Sequence, residues 1–225
     1  ELTDLVNAES YEVYVTTNCG NEESEGTYTL TFTTLQESVE IPYTCDFEEV
    51  GTNGWLLRNG NCTNKWYVGT PASETSGKLF ITNNNGGAAQ YTTSATSIVV
   101  AEKLFQLGAT DSVRISFDLT VGGESTYDYL KVYWVPADTV YEATTTAPYY
   151  ALNSYVPGTI MSNASNSSYR FLNSISTTQN MSVTIQNNPN ELRKLVFVWK
   201  NDISGGNQPG AIIDNVMVEP VGEEI

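Results

Sequence analysis

Many short strands and no helices are what this chain of 225 residues predicts, folded into an antiparallel β-sandwich or barrel. Three observations carry that expectation. Runs rich in Thr, Val, Tyr and Ile alternate apolar and polar residues with the period of two that a half-buried strand requires. Gly, Asn and Pro clusters separate the runs at short intervals. No segment holds the period of an amphipathic helix, although Tyr149–Tyr155 has room for one turn.

The first 36 residues read as a β-hairpin. Leu2, Leu5 and then Tyr11-Glu12-Val13-Tyr14-Val15 alternate up to a turn at Asn18-Cys19-Gly20-Asn21, and Thr27–Thr34 returns with Leu30 and Phe32 on one face. The spacing of Leu2 and Leu5 from Tyr11 resembles the last strands of a fibronectin type III domain, where a tyrosine corner stands near the start of the penultimate strand. A lone hairpin is marginal in water. Residues 1–36 are therefore expected to pack on the next domain, or on residues upstream of this sequence. Leu35–Glu40 is a polar connector, and Pro42 marks entry to a second domain over residues 41–220.

That second domain is read from Cys45–Gly69 outward. Asp46-Phe47-Glu48 reads as part of its first strand, with Phe47 inward and two carboxylates outward. Lys65–Val68 is the next clear strand. Further strands are expected over Lys78–Thr82, Ser97–Leu107, Ser112–Thr120, Tyr127–Pro136, Met181–Gln186, Leu192–Lys200 and Ala211–Glu219. Val113, Ile115, Phe117 and Leu119 share one inward phase, and Leu130, Val132 and Trp134 share another. The turn at Gly122–Ser125 between them predicts that these two strands pair with each other. Residues 137–178 hold fewer apolar runs and read as a large excursion, with one strand at Tyr169–Leu172. The expected core is Phe47, Phe117, Leu130, Val132, Trp134, Phe197 and Trp199.

Charge and composition narrow the function. Lys and Arg total 10 against 26 Asp and Glu, a net charge of −16. This excludes nucleic acid and anionic membranes as partners, since both need basic stripes. It suits divalent cations, or serves only to keep a secreted protein soluble. With no histidine, Ser-His-Asp and Cys-His catalysis and most zinc sites are gone. No apolar run has the length of a membrane span, and export would need a signal upstream of residue 1. Three cysteines leave one unpaired or paired outside the chain. The expected bridge is Cys45–Cys62, in an oxidising compartment; three buried thiols are the alternative.

The Cys45–Glu49 opening with Gly54-Trp55, the segment Thr63–Gly69, the strand and loop Leu79–Gly87, Ser116–Leu119 with Tyr127–Ala137, and the ending Val196–Glu219 occur in one order. Together they resemble the choice-of-anchor J and cleaved adhesin domains of secreted bacterial proteins, which are MAM-like jelly rolls. The resemblance spans residue 41 to about 220 and leaves 137–178 without a matching motif. It implies an antiparallel jelly-roll sandwich, a preceding fibronectin type III unit in a larger multidomain chain, and a bacterial extracytoplasmic setting, secreted or cell-surface. It also implies binding rather than catalysis, with a glycan or host surface protein as partner. MAM relatives carry a disulfide just after the first strand, and Cys62 falls later than that pattern.

The sequence offers three candidate sites. The resemblance implies a calcium ion where the first and last strands meet, held by Asp46, Glu48 and Asp214 with an oxygen from Asn83 or Asn84; such an ion takes six to eight oxygens. Strand-end Asp residues that merely satisfy backbone donors are the plainer explanation. A ligand surface is expected at the loop tyrosines Tyr149, Tyr150 and Tyr155, because Trp55, Trp66, Trp134 and Trp199 are better explained as core. Glu124 and Asp128 are the least implausible acid pair for glycoside hydrolysis, though solvated charge explains them as well. The reading is a secreted, calcium-stabilised adhesion module, and not an enzyme; the alternative is an accessory or spacer domain of a glycan-active enzyme. Sequons stand at Asn61, Asn163, Asn166 and Asn180.

Overall fold

The computed structural model describes residues 3, 10–14, 20, 29–34, 36–163, 168 and 170–222. It divides the chain into two units, Glu1–Glu37 and Ser38–Ile225. In the first, β1 (Ser10–Tyr14) and β2 (Thr29–Thr33) form the expected antiparallel hairpin, and Tyr11 stacks on Phe32 at 5.7 Å. Leu2, Leu5 and Cys19, on which the fibronectin reading and the third thiol rest, lie outside the described residues.

The second unit is a sandwich of two sheets. One comprises β3 (Val39–Glu40), β5 (Leu56–Arg58), β8 (Ser97–Gln106), β10 (Tyr129–Pro136) and β12 (Leu192–Asn201), in the order β10-β12-β8-β3 with β5 also on β8. The other comprises β4 (Tyr43–Cys45), β6 (Lys65–Gly69), β7 (Lys78–Thr82), β9 (Ser112–Val121), β11 (Ile175–Gln186) and β13 (Ile212–Pro220), in the order β11-β9-β13-β7-β6 with β4 also on β13. Apart from the short parallel β3–β8 contact, these strands pair antiparallel. β4, the first strand of the six-stranded sheet, lies beside the last strand, β13, with Cys45 opposite Val216.

All seven expected core residues are buried, and so are all four tryptophans. Phe197 is the hub between the sheets: Phe117 meets it edge-on at 5.1 Å and Trp55 stacks on it at 5.4 Å. Phe47 points inward and its two acidic neighbours outward as expected, but from a turn: β4 ends at Cys45, and Phe47 has φ +58°.

Three expectations change. First, β9 and β10 do not pair; they belong to opposite sheets. Their alternation marks the faces they bury, which a sandwich satisfies as well as a hairpin does. Gly122 and Gly123 do not close a hairpin. Their N–H groups donate to Pro209 O at 2.9 Å and Asn207 O at 2.7 Å, carrying the chain across the end of the sandwich. A Cβ on Gly122 would lie 2.1 Å from Asn207 O, so glycine is required. Second, Cys45 and Cys62 are not bridged; both are free and buried. Cys45 sits in the β4–β13 ladder, while the Cys62 thiol faces Ile98 O at 3.6 Å and Thr144 O at 3.4 Å. Burial pushes that thiol's pKa up.

Third, residues 137–161 fold down onto the outer face of the five-stranded sheet. Tyr141, Tyr150, Ala151 and Val156 build a second core there with Ile98, Val100, Tyr133, Val135, Val196 and Val198. Tyr149–Ala151 forms one 3-10 turn. The Tyr129 and Tyr133 hydroxyls donate to the carbonyls of Ala151 and Tyr150. Leu172 makes one bridge to Leu130 instead of belonging to a strand, and Tyr169 lies outside the described residues. Both faces of β8, β10 and β12 are thus covered, which is why their polar phase is buried too.

Candidate functional site

Over β9, β11 and β13 the outer face of the six-stranded sheet has no such cover among the described residues. Because strand side chains alternate, the phase opposite Phe117 and Ile115 points out. On β9 that phase is Ser116 and Asp118; on β11 it is Asn180 and Ser182; on β13 and β4 it is Met217 and Thr44. The register sets Asp118 beside Asn180, Ser116 beside both Ser182 and Met217, and Met217 beside Thr44. Part of this face forms a groove of about 590 Å³, lined by Thr44, Cys45, Asp46, Glu49, Ser116, Asn180, Asn215, Val216 and Met217.

A β-bulge shapes its floor. The β13–β9 register shifts between Asp214 and Met217, and Asn215 adopts φ +49°. Asn tolerates that left-handed conformation better than most residues, and a bulge re-aims the side chain it carries. Asn215 Nδ2 donates to Asp118 Oδ2 at 2.9 Å, and Asn180 Nδ2 donates to Asp118 Oδ1 at 2.9 Å. Both carboxylate oxygens thereby hold an amide that lines the groove. No cation lines it. The nearest basic groups on this face are committed: Arg114 to Glu219, with Nε at 2.7 Å, and Lys78 to Asp214. The result is a rigid row of acceptors and hydroxyls, suited to ligands that donate hydrogen bonds.

The residues expected to hold calcium do not converge. Asp46 stands at the groove rim, where Oδ1 accepts the Glu48 N–H at 3.2 Å. Glu48 Oε1 accepts the Gly77 N–H at 2.9 Å. Asp214 takes the Lys78 ammonium, and its Oδ1 accepts the Asn215 N–H at 2.8 Å. Asn83 is turned to Thr92 and Gln90, and Asn84 to Thr82 and Ala88. Among the described residues no three His, Cys, Asp or Glu side chains are grouped to hold a metal ion. Each carboxylate is met locally: Lys78 supplies the countercharge of Asp214, and backbone N–H groups meet Asp46 and Glu48.

The tyrosines separate as well. Tyr149 and Tyr155 are exposed, and the Arg170 guanidinium lies 5.2 Å from the Tyr155 ring centre. Tyr150 is a core residue whose hydroxyl donates to the Glu142 carbonyl, so it is not part of an open surface. Of the acid pair, Asp128 is fully buried and accepts from the Tyr91 hydroxyl and the Asp202 N–H, each at 2.8 Å. Gly206 closes over it: a Cβ there would stand 2.3 Å from its carboxylate. No substrate reaches that carboxylate. The groove residues Asn180 and Asn215 and their partner Asp118 were missed in sequence, where Asn180 is visible only as a sequon and Asp118 only as the polar phase of an alternating strand.

No family model matches the chain, and no curated protein matches it. Solved structures do resemble it. The CBM22-1 xylan-binding domain of Xyn10C from Paenibacillus barcinonensis is 14% identical, with a TM-score of 0.45 over 80% of this chain and 94% of that one. The K1 cleaved adhesin domain of Lys-gingipain from Porphyromonas gingivalis W83 is 12% identical, with a TM-score of 0.43 over 80% and 98%. The Stig cyclase Fisc from Fischerella sp. TAU is 17% identical, with a TM-score of 0.43 over 79% and 95%. A binding module, an adhesin domain and a cyclase thus stand side by side, at identities that leave function open.

Proposed function

We propose that this chain is a non-catalytic, extracytoplasmic binding module whose sheet-face groove takes a glycan, neutral or amino-bearing. The observation that carries the reading is the pair Asn180 and Asn215 in the lining of a groove of about 590 Å³, both bonded to the Asp118 carboxylate. Two amides held by one carboxylate meet paired hydroxyls without reorganising, and pre-organisation is what makes weak polar contacts productive. Asp46 and Glu49 in the lining, without a lysine or arginine, set the ligand's charge: uronate and sulfate chains are repelled.

The test is binding of the whole chain to immobilised neutral, amino-bearing and uronate oligosaccharides. Neutral or amino-bearing chains are expected to bind and uronates not. Asn180→Ala and Asp118→Asn should each weaken binding by about tenfold or more, since a hydrogen bond to a charged group is worth roughly 1.5–3 kcal/mol. Binding to none of the three classes, or binding indifferent to both variants, overturns the reading.

Calcium is a separate proposal, with its own measurement. If Asp46, Glu48 and Asp214 take up calcium on exchanging Lys78 for the ion, the melting midpoint rises with calcium and falls with EGTA, and Asp214→Asn blunts the response. Equal midpoints at fixed ionic strength refute it.

A further inference from the structure

We infer that two copies of this chain pair along β11, antiparallel, so that their six-stranded sheets become one continuous sheet. Among the described residues β11 is the outermost strand of that sheet and pairs with β9 alone. It is twelve residues long, ISTTQNMSVTIQ, and holds neither a charge nor a proline. Natural edges are normally blunted by Lys, Pro, brevity, a bulge or a covering loop. The other edges here are blunted. On β6, the Asn59 amide occupies both backbone groups of Trp66, donating to its O at 3.0 Å and accepting from its N–H at 2.7 Å. β10 is bridged by Leu172 and Thr159 of the excursion. β3 is two residues long and includes Glu40. On β11 the one such device is a register shift between Ile175 and Gln179, which leaves Gln179–Gln186 regular.

The flank of the core is open at the same strand. Met181, Val183 and Ile185 face inward and pack on the core, yet are only half-buried. Their ladder partners Phe117, Ile115 and Val113 are 0% exposed. A further strand laid on β11 would cover these three side chains as β9 covers its own neighbours.

The sequence of β11 points to a second copy as that strand, and its lack of charge permits one. Each chain carries −16, so two copies repel wherever charged surfaces approach. No acidic residue occurs from Phe171 to Asn190, so β11 is a regular edge along which like copies can meet. The strand is also self-complementary about Val183. With Val183 opposite itself, Met181 meets the partner's Ile185, and Ser182 meets the partner's Thr184. Apolar then faces apolar and hydroxyl faces hydroxyl, as an isologous two-fold contact demands. The two-fold axis of an antiparallel pair is perpendicular to the sheet. Both outer faces therefore lie on one side, with Asn180 of each groove near the seam. The pairing stands without the glycan reading; together they describe a bivalent face.

The test is sedimentation of the whole chain across a wide concentration range. We expect a reversible rise from 24.7 kDa to twice that mass. The Ser182→Lys, Thr184→Lys pair of substitutions sets like charges opposite one another across the seam. That variant should stay monomeric at every concentration, with the melting midpoint that the wild-type chain has when dilute. The Ser182→Glu, Thr184→Glu variant should also be monomeric, and a mixture of the two should recover the dimer. A wild-type chain that is monomeric throughout, or a dimer that survives the lysine pair, overturns the inference. So does a monomer whose β11 amides are already protected from hydrogen exchange, because the edge would then be filled from within the chain.

Discussion

Asp128 has no exposed surface, although it belongs to a strongly acidic chain. Burial pushes its pKa above the ordinary 3.8, against the hydrogen bonds from Asp202 N–H and the Tyr91 hydroxyl, which favour the charged form. A raised folded pKa means that the folded state holds the proton to higher pH than the unfolded state does. The contribution of Asp128 to stability is therefore greatest below pH 3.8 and falls as pH rises through its folded value. Asp128→Asn removes that slope. In chemical denaturation across the acid range, wild type should lose stability relative to the variant as pH rises; a constant difference would show that Asp128 titrates normally. Phe117 is a simpler case, because its inward phase was legible from alternation alone. It is 0% exposed and set edge-on against Phe197. Phe117→Ala should cost about 3–5 kcal/mol by the same measurement. A side chain's phase is local information. The partners of Asp118 or Asp214 are not, since Asn215 and Lys78 come from strands remote in sequence.

The longer strands were read to within a few residues except β11, which begins six residues before the expected Met181. β3 and β5 were missed, and of the pairings expected the β1–β2 hairpin formed and the β9–β10 hairpin did not. Alternation tells a strand which face to bury, and both a hairpin and a sandwich satisfy it; the β9–β10 connection chose the sandwich because its two glycines bond to the 207–209 loop. The groove was illegible for the same reason, as it needs β11, β9, β13 and β4 in one sheet and a bulge at Asn215. The excursion hid its role in the polar phase of β10, where Lys131 reads as solvated. Instead Lys131 is buried, and Nζ donates to Leu152 O at 2.8 Å and Ser154 O at 2.7 Å, tying the excursion to the sheet. Burial pulls its pKa down to about 8 from the ordinary 10.5. The unfolded chain then binds more protons between about pH 8 and 10.5, so the stability that Lys131 contributes rises with pH in that window. Lys131→Met abolishes the rise and strands two carbonyls, each a loss of about 1–3 kcal/mol. Hydrogen exchange around residues 152–156 should quicken in the variant; unchanged exchange would mean that the excursion holds without this tie.

The charge of −16 is not spread evenly between surface and interior. Of the ten Lys and Arg residues, nine are bonded within the fold. Lys78, Lys194, Arg58, Arg114 and Arg193 bond to carboxylates, and Lys103, Lys131, Lys200 and Arg170 to backbone carbonyls. Only Lys65 has neither kind of bond among the described residues. The cations thus serve as internal fasteners, and the field outside is set by acids. Self-repulsion of that field opposes the compact state, and salt screens it over a Debye length of about 10 Å at 0.1 M. Salt also weakens ion pairs, but the Glu102 pairs with Lys194 and Arg58 involve a carboxylate side chain 1% exposed and are little screened. Repulsion should therefore win: the melting midpoint rises as sodium chloride is added from low ionic strength and then levels off. The same screening brings two copies together along β11, so the dimer should tighten over the same range. A midpoint that falls with salt would mean that exposed pairs such as Arg114–Glu219 outweigh the repulsion, and the surface would no longer account for the exclusion of acidic glycans from the groove.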